Sequence, residues 1–325
     1  MLKSLLNHYR LLFRPAIYHG KSYKNFFFEG WFYKLVSCSG KNVLAVIPAV
    51  VQGDDPKCFI QILDGTSHKS SVVFYDSSKF DYNRDHFLIS LDKNKFSAEQ
   101  IELDIDSDYK IRGTLAFSAS ALYASSILRP NIMGWYSYVP LMECNHALLS
   151  LSSQISGSLE INGELVDFNN GKAYMEKDWG PSFPEGYLWC QSNHFDDSDT
   201  SFIFSVAKIP WLFSSFIGFL SLFNFEGKQY NFATYTGAKI TNYRVSNKTV
   251  NVCIKKKTLT LEFEIERAVA GELIAPYSMK GLTKVTESLS SVIHLSLKDG
   301  SSTLFRGTGR FCGLDINGAD LTGYF

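Results

Sequence analysis

Gly171-Lys-Ala-Tyr-Met-Glu-Lys-Asp-Trp-Gly-Pro-Ser-Phe-Pro-Glu-Gly-Tyr-Leu-Trp-Cys-Gln-Ser-Asn-His-Phe195 packs carboxylates, indoles and turn residues into one short stretch. Tyr174, Glu176 and Asp178 share one parity, so an extended strand projects all three from the same face. Gly180, Pro181, Pro184 and Gly186 then force a turn, and Tyr187 to Phe195 reads as a second strand. Two acids beside aromatic rings in a half-buried sheet are costly to keep ionised, so their pKa values rise. That suits a proton donor. The alternative is that Glu176, Lys177 and Asp178 are surface charges flanking a tight corner.

Outward from this stretch the pattern is strand after strand. Phe26 to Ser37, Asn42 to Gln52, Cys58 to Leu63 and Ser71 to Tyr75 are β-rich runs broken at Ser39-Gly40, Gly53-Asp54-Asp55-Pro56 and Asp64-Gly65. Further strands are expected through Asp85 to Leu91, Gln100 to Asp104, Lys110 to Phe117 and Ala147 to Ile161. Asn162-Gly163 between two apolar alternations signals a type I′ hairpin. Residues 118–146, rich in Tyr, Ser and Pro, read as a long loop. Beyond the opening stretch strands resume from Ser201 to Gly309, and Glu262, Glu264 and Glu266 alternate with Phe263 and Ile265 as a strand with one wet face.

Lys plus Arg and Asp plus Glu both number 32, so no global charge recruits nucleic acid or an anionic surface. Aromatic content is 15%, which strands favour and which a wide apolar cavity would also use. The six cysteines, scattered from Cys38 to Cys312, form no Cys-x-x-Cys pair and fit small buried hydrophobes in a reducing, cytoplasmic compartment. The seven histidines show no paired spacing, so neither a metal nor another cofactor is expected. Gly307-Thr-Gly309 lacks the spacing of a dinucleotide loop, and neither a phosphate loop nor a Gly-x-Ser-x-Gly elbow is present.

Two segments stand apart. Residues 1–24 carry Lys3, Arg10, Arg14, Lys21 and Lys24 with no acid, and read as a basic segment with a partly amphipathic helix ending at Pro15. Without a long apolar core or a small-residue cleavage site it does not resemble a signal peptide. Ile209 to Phe223 has no charge, yet is too short for a transmembrane helix. It is either a buried connection or core strand, or an apolar lid that touches a membrane, and the basic N-terminus offers a second peripheral contact there.

Roughly sixteen short strands exceed one small barrel. The expectation is an all-β chain of two tandem lipocalin-like antiparallel β-barrels, with one large β-sandwich as the alternative. The domains would be residues 25–166 and 167–325, the second beginning with the opening stretch.

Tyr174-Met-Glu-Lys-Asp-Trp-Gly180, Phe183-Pro184 and Trp189-Cys-Gln-Ser-Asn-His-Phe195 resemble the central signature of the tocopherol cyclase family. Phe27-Phe-Glu-Gly-Trp-Phe-Tyr-Lys34 resembles its aromatic-Glu-Gly-Trp-aromatic run. Weaker echoes are Gly134-Trp-Tyr, Asn145-His146, Ala275-Pro276 and Gly313-Leu-Asp315, so the likeness spans nearly the whole chain. It departs at Asp178, where the family pattern has Asn.

The resemblance implies cyclisation of a prenylated hydroquinone to a chromanol, begun by protonating a trisubstituted alkene. It implies Glu176 as proton donor, Asp178 as second choice and Glu29 as a further candidate. It implies an isoprenoid-type substrate held by Phe28, Trp31, Tyr33, Trp135, Tyr174, Trp179, Tyr187, Trp189, Gln191 and Asn193. A non-catalytic isoprenoid carrier and an isoprenoid hydratase remain open beside it.

Overall fold

The computed structural model describes residues 11–20, 26–139, 142–196, 199–211, 214–277, 281–318 and 321–325. About two-thirds of these residues are in antiparallel strands, as the alternation of the sequence leads one to expect. They divide into two compact units. One runs to Phe183 and takes in Ile274–Thr283; the other comprises Pro184–Leu273 and Lys284–Phe325.

The first unit is built from β1 (Phe27–Val36), β2 (Val43–Gln52), β3 (Lys57–Asp64), β4 (Ser70–Tyr75), β5 (Phe80–Tyr82) and β6 (Leu88–Leu91). It continues with β7 (Asn94–Ser97), β8 (Gln100–Ile105), β9 (Ile111–Ala121), β10 (Asn145–Ile161), β11 (Glu164–Asp167) and β12 (Lys172–Gly180). The sheet order is β4-β3-β2-β1-β12-β10-β9-β8-β7-β6-β5, with β11 beside β10. Strands adjacent in the chain are therefore neighbours in space, and the path turns back on itself where β1 meets β12. Its two ends, β4 and β5, are themselves consecutive in the chain. This is a nearly closed up-and-down barrel.

The second unit repeats the plan. Its strands are β13 (Gly186–Ser192), β14 (His194–Phe195), β15 (Ser201–Trp211), β16 (Ser214–Phe225), β17 (Lys228–Ala233) and β18 (Lys239–Val245). They are followed by β19 (Thr249–Lys256), β20 (Leu259–Glu266), β21 (Gly271–Tyr277), β22 (Gly281–Asp299) and β23 (Ser302–Gly318), the β21–β22 end at Ile274–Thr283 being the piece that groups with the first unit. The order is β17-β16-β15-β13-β23-β22-β20-β19-β18. Here β13 meets β23 as β1 meets β12, and the ends β17 and β18 are again consecutive. The expected pair of tandem lipocalin-like barrels is what the chain forms. The boundary expected near residue 166 lies inside β11 of the first unit, so the opening stretch splits, β12 closing one barrel and β13 opening the next.

Each barrel is filled by its own apolar cluster. Trp31, Tyr33, Leu35, Ala173 and Met175 belong to the first, and Leu188, Cys190, Cys312 and Leu314 to the second. Peripheral strands alternate: Phe263 and Ile265 point inward while Glu264 and Glu266 are exposed. The central strands do not alternate. Eight of the nine residues β1 contributes after Phe27, and every residue of β13, are buried, so both faces of these strands are withdrawn from water.

The turn signals read from the sequence recur. Asn162 and Gly163 have φ of 51° and 89°, the two positive values a type I′ turn needs. The expected loop at 118–146 is shorter, because β9 runs on to Ala121 and a 3-10 turn occupies Gly134–Tyr138. The apolar run 209–223 is a hairpin of β15 and β16, whose residues Phe219 and Phe223 are built into the second core, while Leu222 is buried on the other face of the strand. Residues 212 and 213 lie outside the described residues, as do 1–10 and 21–25 of the basic segment. Among the described residues, no helix is long and apolar enough to cross a membrane, which says nothing of strands.

Candidate functional site

Strand β12 separates two chemistries because its alternating residues project to opposite faces. Lys177 points to the side of the core residues Ala173 and Met175. It is fully buried and pairs with Glu29 at 2.5 Å, while donating to the Ile17 carbonyl at 2.7 Å. Glu29 also accepts from the His19 amide at 2.8 and 3.0 Å, and Trp31 Nε1 donates to the Ala16 carbonyl at 2.7 Å. The ammonium lies 4.7 Å from the Trp31 ring and 5.1 Å from Trp179. Burial pushes the Glu29 carboxyl up and the Lys177 ammonium down, and the attraction between them opposes both shifts. The described part of the N-terminal segment is thus strapped to the barrel by one buried ion pair.

Tyr174, Glu176 and Asp178 occupy the other face, as their shared parity predicts. Across the β10–β12 ladder His146 is the direct partner of Asp178, which brings its ring to the same side. His146 Nδ1 is 2.8 Å from Asp178 Oδ1, and its Nε2 is 3.5 Å from Glu176 Oε2. The Tyr174 hydroxyl donates to that same Glu176 oxygen. Desolvation lowers the imidazole pKa, but Asp178 and Glu176 outweigh it and raise the value from 6.5 to about 9. His146 is therefore an imidazolium at neutral pH, held between two carboxylates, with Nε2 buried and lacking a hydrogen-bond partner.

This face also has a position without a side chain. Across β1 the partner of Glu176 is Phe32, but the partner of Asp178 is Gly30. A Cβ placed on Gly30 would meet nothing closer than the Ala49 Cβ at 3.9 Å. Asp178 keeps 21% of its side chain exposed, against 6% for Glu176. His146, Glu176 and Asp178 present ligand atoms within 4.8 Å of one another, a set able to hold a divalent cation once the imidazole gives up its proton. With the proton in place the same three groups store a proton instead.

The second unit carries a buried acid of its own. Asp315 on β23 faces Trp189 on β13 and Glu287 on β22 in register. The Tyr187 hydroxyl donates to Asp315 Oδ2 at 2.7 Å, whereas Oδ1 is sealed from solvent with no hydrogen-bond partner. Desolvation raises this carboxyl from 3.8 to about 7, and the Tyr187 hydrogen bond pulls only partly the other way. Tyr187, Trp189 and Gln191 share this side of β13, opposite the core residues Leu188 and Cys190.

The residues named from the sequence are therefore dispersed. Glu176, Asp178 and Tyr174 come together, and His146 joins them. Glu29 does not reach them; it faces the opposite side with Trp31 and Trp179. Trp31 and Tyr33 are fully buried in the packed core, the Tyr33 hydroxyl donating to the Ser97 carbonyl at 2.9 Å. Phe28 stacks on Phe183 at 4.9 Å in a separate apolar cluster. Trp135 is 48% exposed on a loop. Tyr187, Trp189, Gln191 and Asn193 belong to the second unit, with Asn193 Oδ1 2.9 Å from His194 Nδ1. His146 and Asp315 stood in the sequence only as members of motif echoes, and the signal that finds them is strand register, which sequence does not display.

The model of the tocopherol cyclase-like family matches residues 104–318, a span that contains β10, β12, β13 and β23 and so both acid clusters except the strap. The chain belongs to the tocopherol cyclase-like family. The chloroplastic tocopherol cyclase of maize (Zea mays) is 30% identical over 112 residues, which are 32% of this chain and 23% of that protein. The match thus spans less than a quarter of the curated relative. Among solved structures, CghA superposes with a TM-score of 0.59 at 9% identity, covering 91% of this chain and 89% of that one. Kievitone hydratase from Nectria haematococca gives 0.51 at 12% identity, covering 93% and 94%. Both likenesses concern the fold of this tocopherol cyclase-like chain.

Proposed function

We propose that this tocopherol cyclase-like protein catalyses an acid-initiated ring closure of a prenylated hydroquinone or related isoprenoid. The observation that supports the reading is the protonated His146 set between Glu176 and Asp178, beside Gly30. Glu176 is assigned as the acid, its Oε2 fixed by the Tyr174 hydroxyl. The His146 Nε2 proton first crosses to Glu176 Oε2, and the O–H bond so formed breaks as a C–H bond forms at the less substituted alkene carbon, leaving a tertiary cation. The substrate's phenol oxygen bonds to that cation and releases its proton to the emptied network, and His146 returns it to Glu176. No proton is gained or lost over the cycle. A positioned acid of this kind contributes roughly 10²–10⁴-fold. Phe32 and Tyr174, 6.5 Å apart on this face, offer aromatic surface to the developing cation.

The kievitone hydratase likeness keeps a second reading in play, in which water rather than the phenol captures the same cation. One experiment separates the readings. Wild type, Glu176→Gln and His146→Gln are incubated with a prenylated hydroquinone, and chromanol and tertiary alcohol are quantified by chromatography. Chromanol from wild type and a loss of at least 10²-fold in Glu176→Gln is the expected result. Tertiary alcohol would instead favour the hydratase, and saturable binding without any product would leave a carrier. Equal rates for wild type and Glu176→Gln would remove Glu176 from the donor role.

A further inference from the structure

The loop between β9 and β10 displays apolar side chains where a loop has no folding use for them. Ser126 and Arg129 exchange backbone hydrogen bonds at 2.9 Å in both directions, making a tight turn with Ile127 and Leu128 at its tip. Turn tips of this kind favour Asn, Asp or Gly, and Ile and Leu bring nothing to the backbone geometry. Yet Ile127 is 78% exposed and Leu128 76%, with Leu122 at 58% and Trp135 at 48% nearby in the same loop.

The base of this loop is firmly held. Asn131, Ile132 and Met133 are buried, and Asn131 Oδ1 accepts from the Met133 amide at 2.9 Å and the Ser137 hydroxyl at 2.7 Å. The Tyr138 hydroxyl donates to the Ile127 carbonyl, tying the tip to that base. The exposed pair is presented on a braced turn.

Charge identifies the occupant. From Gly113 to Met142 the sequence has no Asp or Glu, and Arg129 is the only charged residue in that span. Arg129 sits in the turn itself. Aliphatic side chains at a tip, a cation beside them and a tryptophan at the flank are what an anionic lipid surface accommodates, the first in the acyl region, the others at the headgroups. We propose that the 122–138 loop is a membrane-contact element which inserts Ile127 and Leu128 into an anionic bilayer, with Arg129 on the headgroups. The proposal is independent of the reaction assigned to the acid network.

The test uses the full chain and vesicles of phosphatidylcholine with or without phosphatidylserine, read by flotation. Wild type is expected to float with the anionic vesicles, and Ile127→Glu/Leu128→Glu to partition at least tenfold less. Arg129→Glu should lose most of the dependence on phosphatidylserine. Leu165→Glu, a change at a residue 77% exposed on β11, serves as the control and should float like wild type. All these side chains are exposed, so the variants keep the fold. Wild-type protein left wholly in the soluble fraction overturns the proposal, as does unaltered flotation of the double variant. A wild-type dimer that the double variant converts to monomer would assign the surface to a second copy of the chain and equally overturn it.

Discussion

Glu29 and Glu176 stand on opposite faces of one sheet. Across the β1–β12 ladder Glu29 is opposite Trp179 and Glu176 opposite Phe32, an odd offset of three positions. In a strand an odd offset reverses the face. The two acids that the family motifs both offer as candidate proton donors therefore have separate tasks: Glu29 closes a strap with Lys177, and Glu176 joins His146.

That separation predicts a stability effect for Glu29 without a chemical one. Glu29→Gln leaves the Lys177 ammonium unpaired in the core, and breaking a buried pair costs about 3–5 kcal/mol. Lys177→Met should cost a similar amount by stranding Glu29. The double variant removes both charges and should recover most of the loss. Urea unfolding of the four proteins measures this, and a double variant no more stable than the singles would contradict it. Turnover per folded molecule in Glu29→Gln should stay within a few-fold of wild type.

His146 gives a pH signature. Its folded pKa, about 9, lies above the unfolded 6.5, so the folded state holds the proton more tightly. The stabilisation is complete below pH 6.5, declines as pH rises, and is gone above about 9; the total is about 3 kcal/mol at 1.36 kcal/mol per unit. Imidazole NMR should show His146 titrating near 9, and Asp178→Asn should move it down. In His146→Gln the decline in stability between pH 6.5 and 9 should disappear. A His146 resonance that titrates at its ordinary value would sink this assignment.

Asp315 acts over a lower window. Its carboxyl is raised from 3.8 to about 7, so the folded state again retains the proton, but here in the neutral form. The contribution is present below pH 3.8 and falls as pH climbs to about 7, by no more than about 4 kcal/mol. Asp315→Asn should flatten stability across that window and leave the His146 window untouched. Tyr187→Phe deletes the donor to Oδ2 and should raise the Asp315 pKa further, since the hydrogen bond favours the charged form. Infrared difference spectra of the carboxylic C=O stretch, absent in Asp315→Asn, report this titration directly.

Much of this was legible before any coordinates. Parity put Tyr174, Glu176 and Asp178 on one face, and the count of short alternating runs required two barrels rather than one. What strand patterns cannot display is register between distant segments. Asn145-His146 lies 32 residues before Asp178, and only the β10–β12 ladder makes them neighbours. Burial of the central strands was equally hidden, because Val43 to Gln52 reads as apolar whether one face or both are covered. Lys177 is the sharpest case. A lysine between two acids looks like a solvated charge, yet its alternation with them turns it into the core, where Glu29, the Ile17 carbonyl and the Trp31 and Trp179 rings make it tolerable.

Gly30 tests where a substrate enters. It is the position on β1 paired with Asp178, so a side chain there would project over the acid network, and its Cβ would meet only the Ala49 Cβ, at 3.9 Å. No positive φ demands glycine at this site, since Gly30 is absent from the left-handed residues of the chain. Gly30→Ala should therefore fold with a stability change within about 1 kcal/mol, and thermal unfolding of Gly30→Leu checks that it folds before its turnover is read. If the prenyl chain reaches Glu176 past Asp178, the added side chain occupies its path. Turnover should then fall at least tenfold, chiefly through a higher KM. Gly30→Ala, which adds only the Cβ, should lose little. The imidazole titration of His146 provides the control, for its pKa near 9 should survive in both variants while only the leucine blocks the reaction. Full activity in a well-folded Gly30→Leu would mean that substrate approaches the acid network from another side.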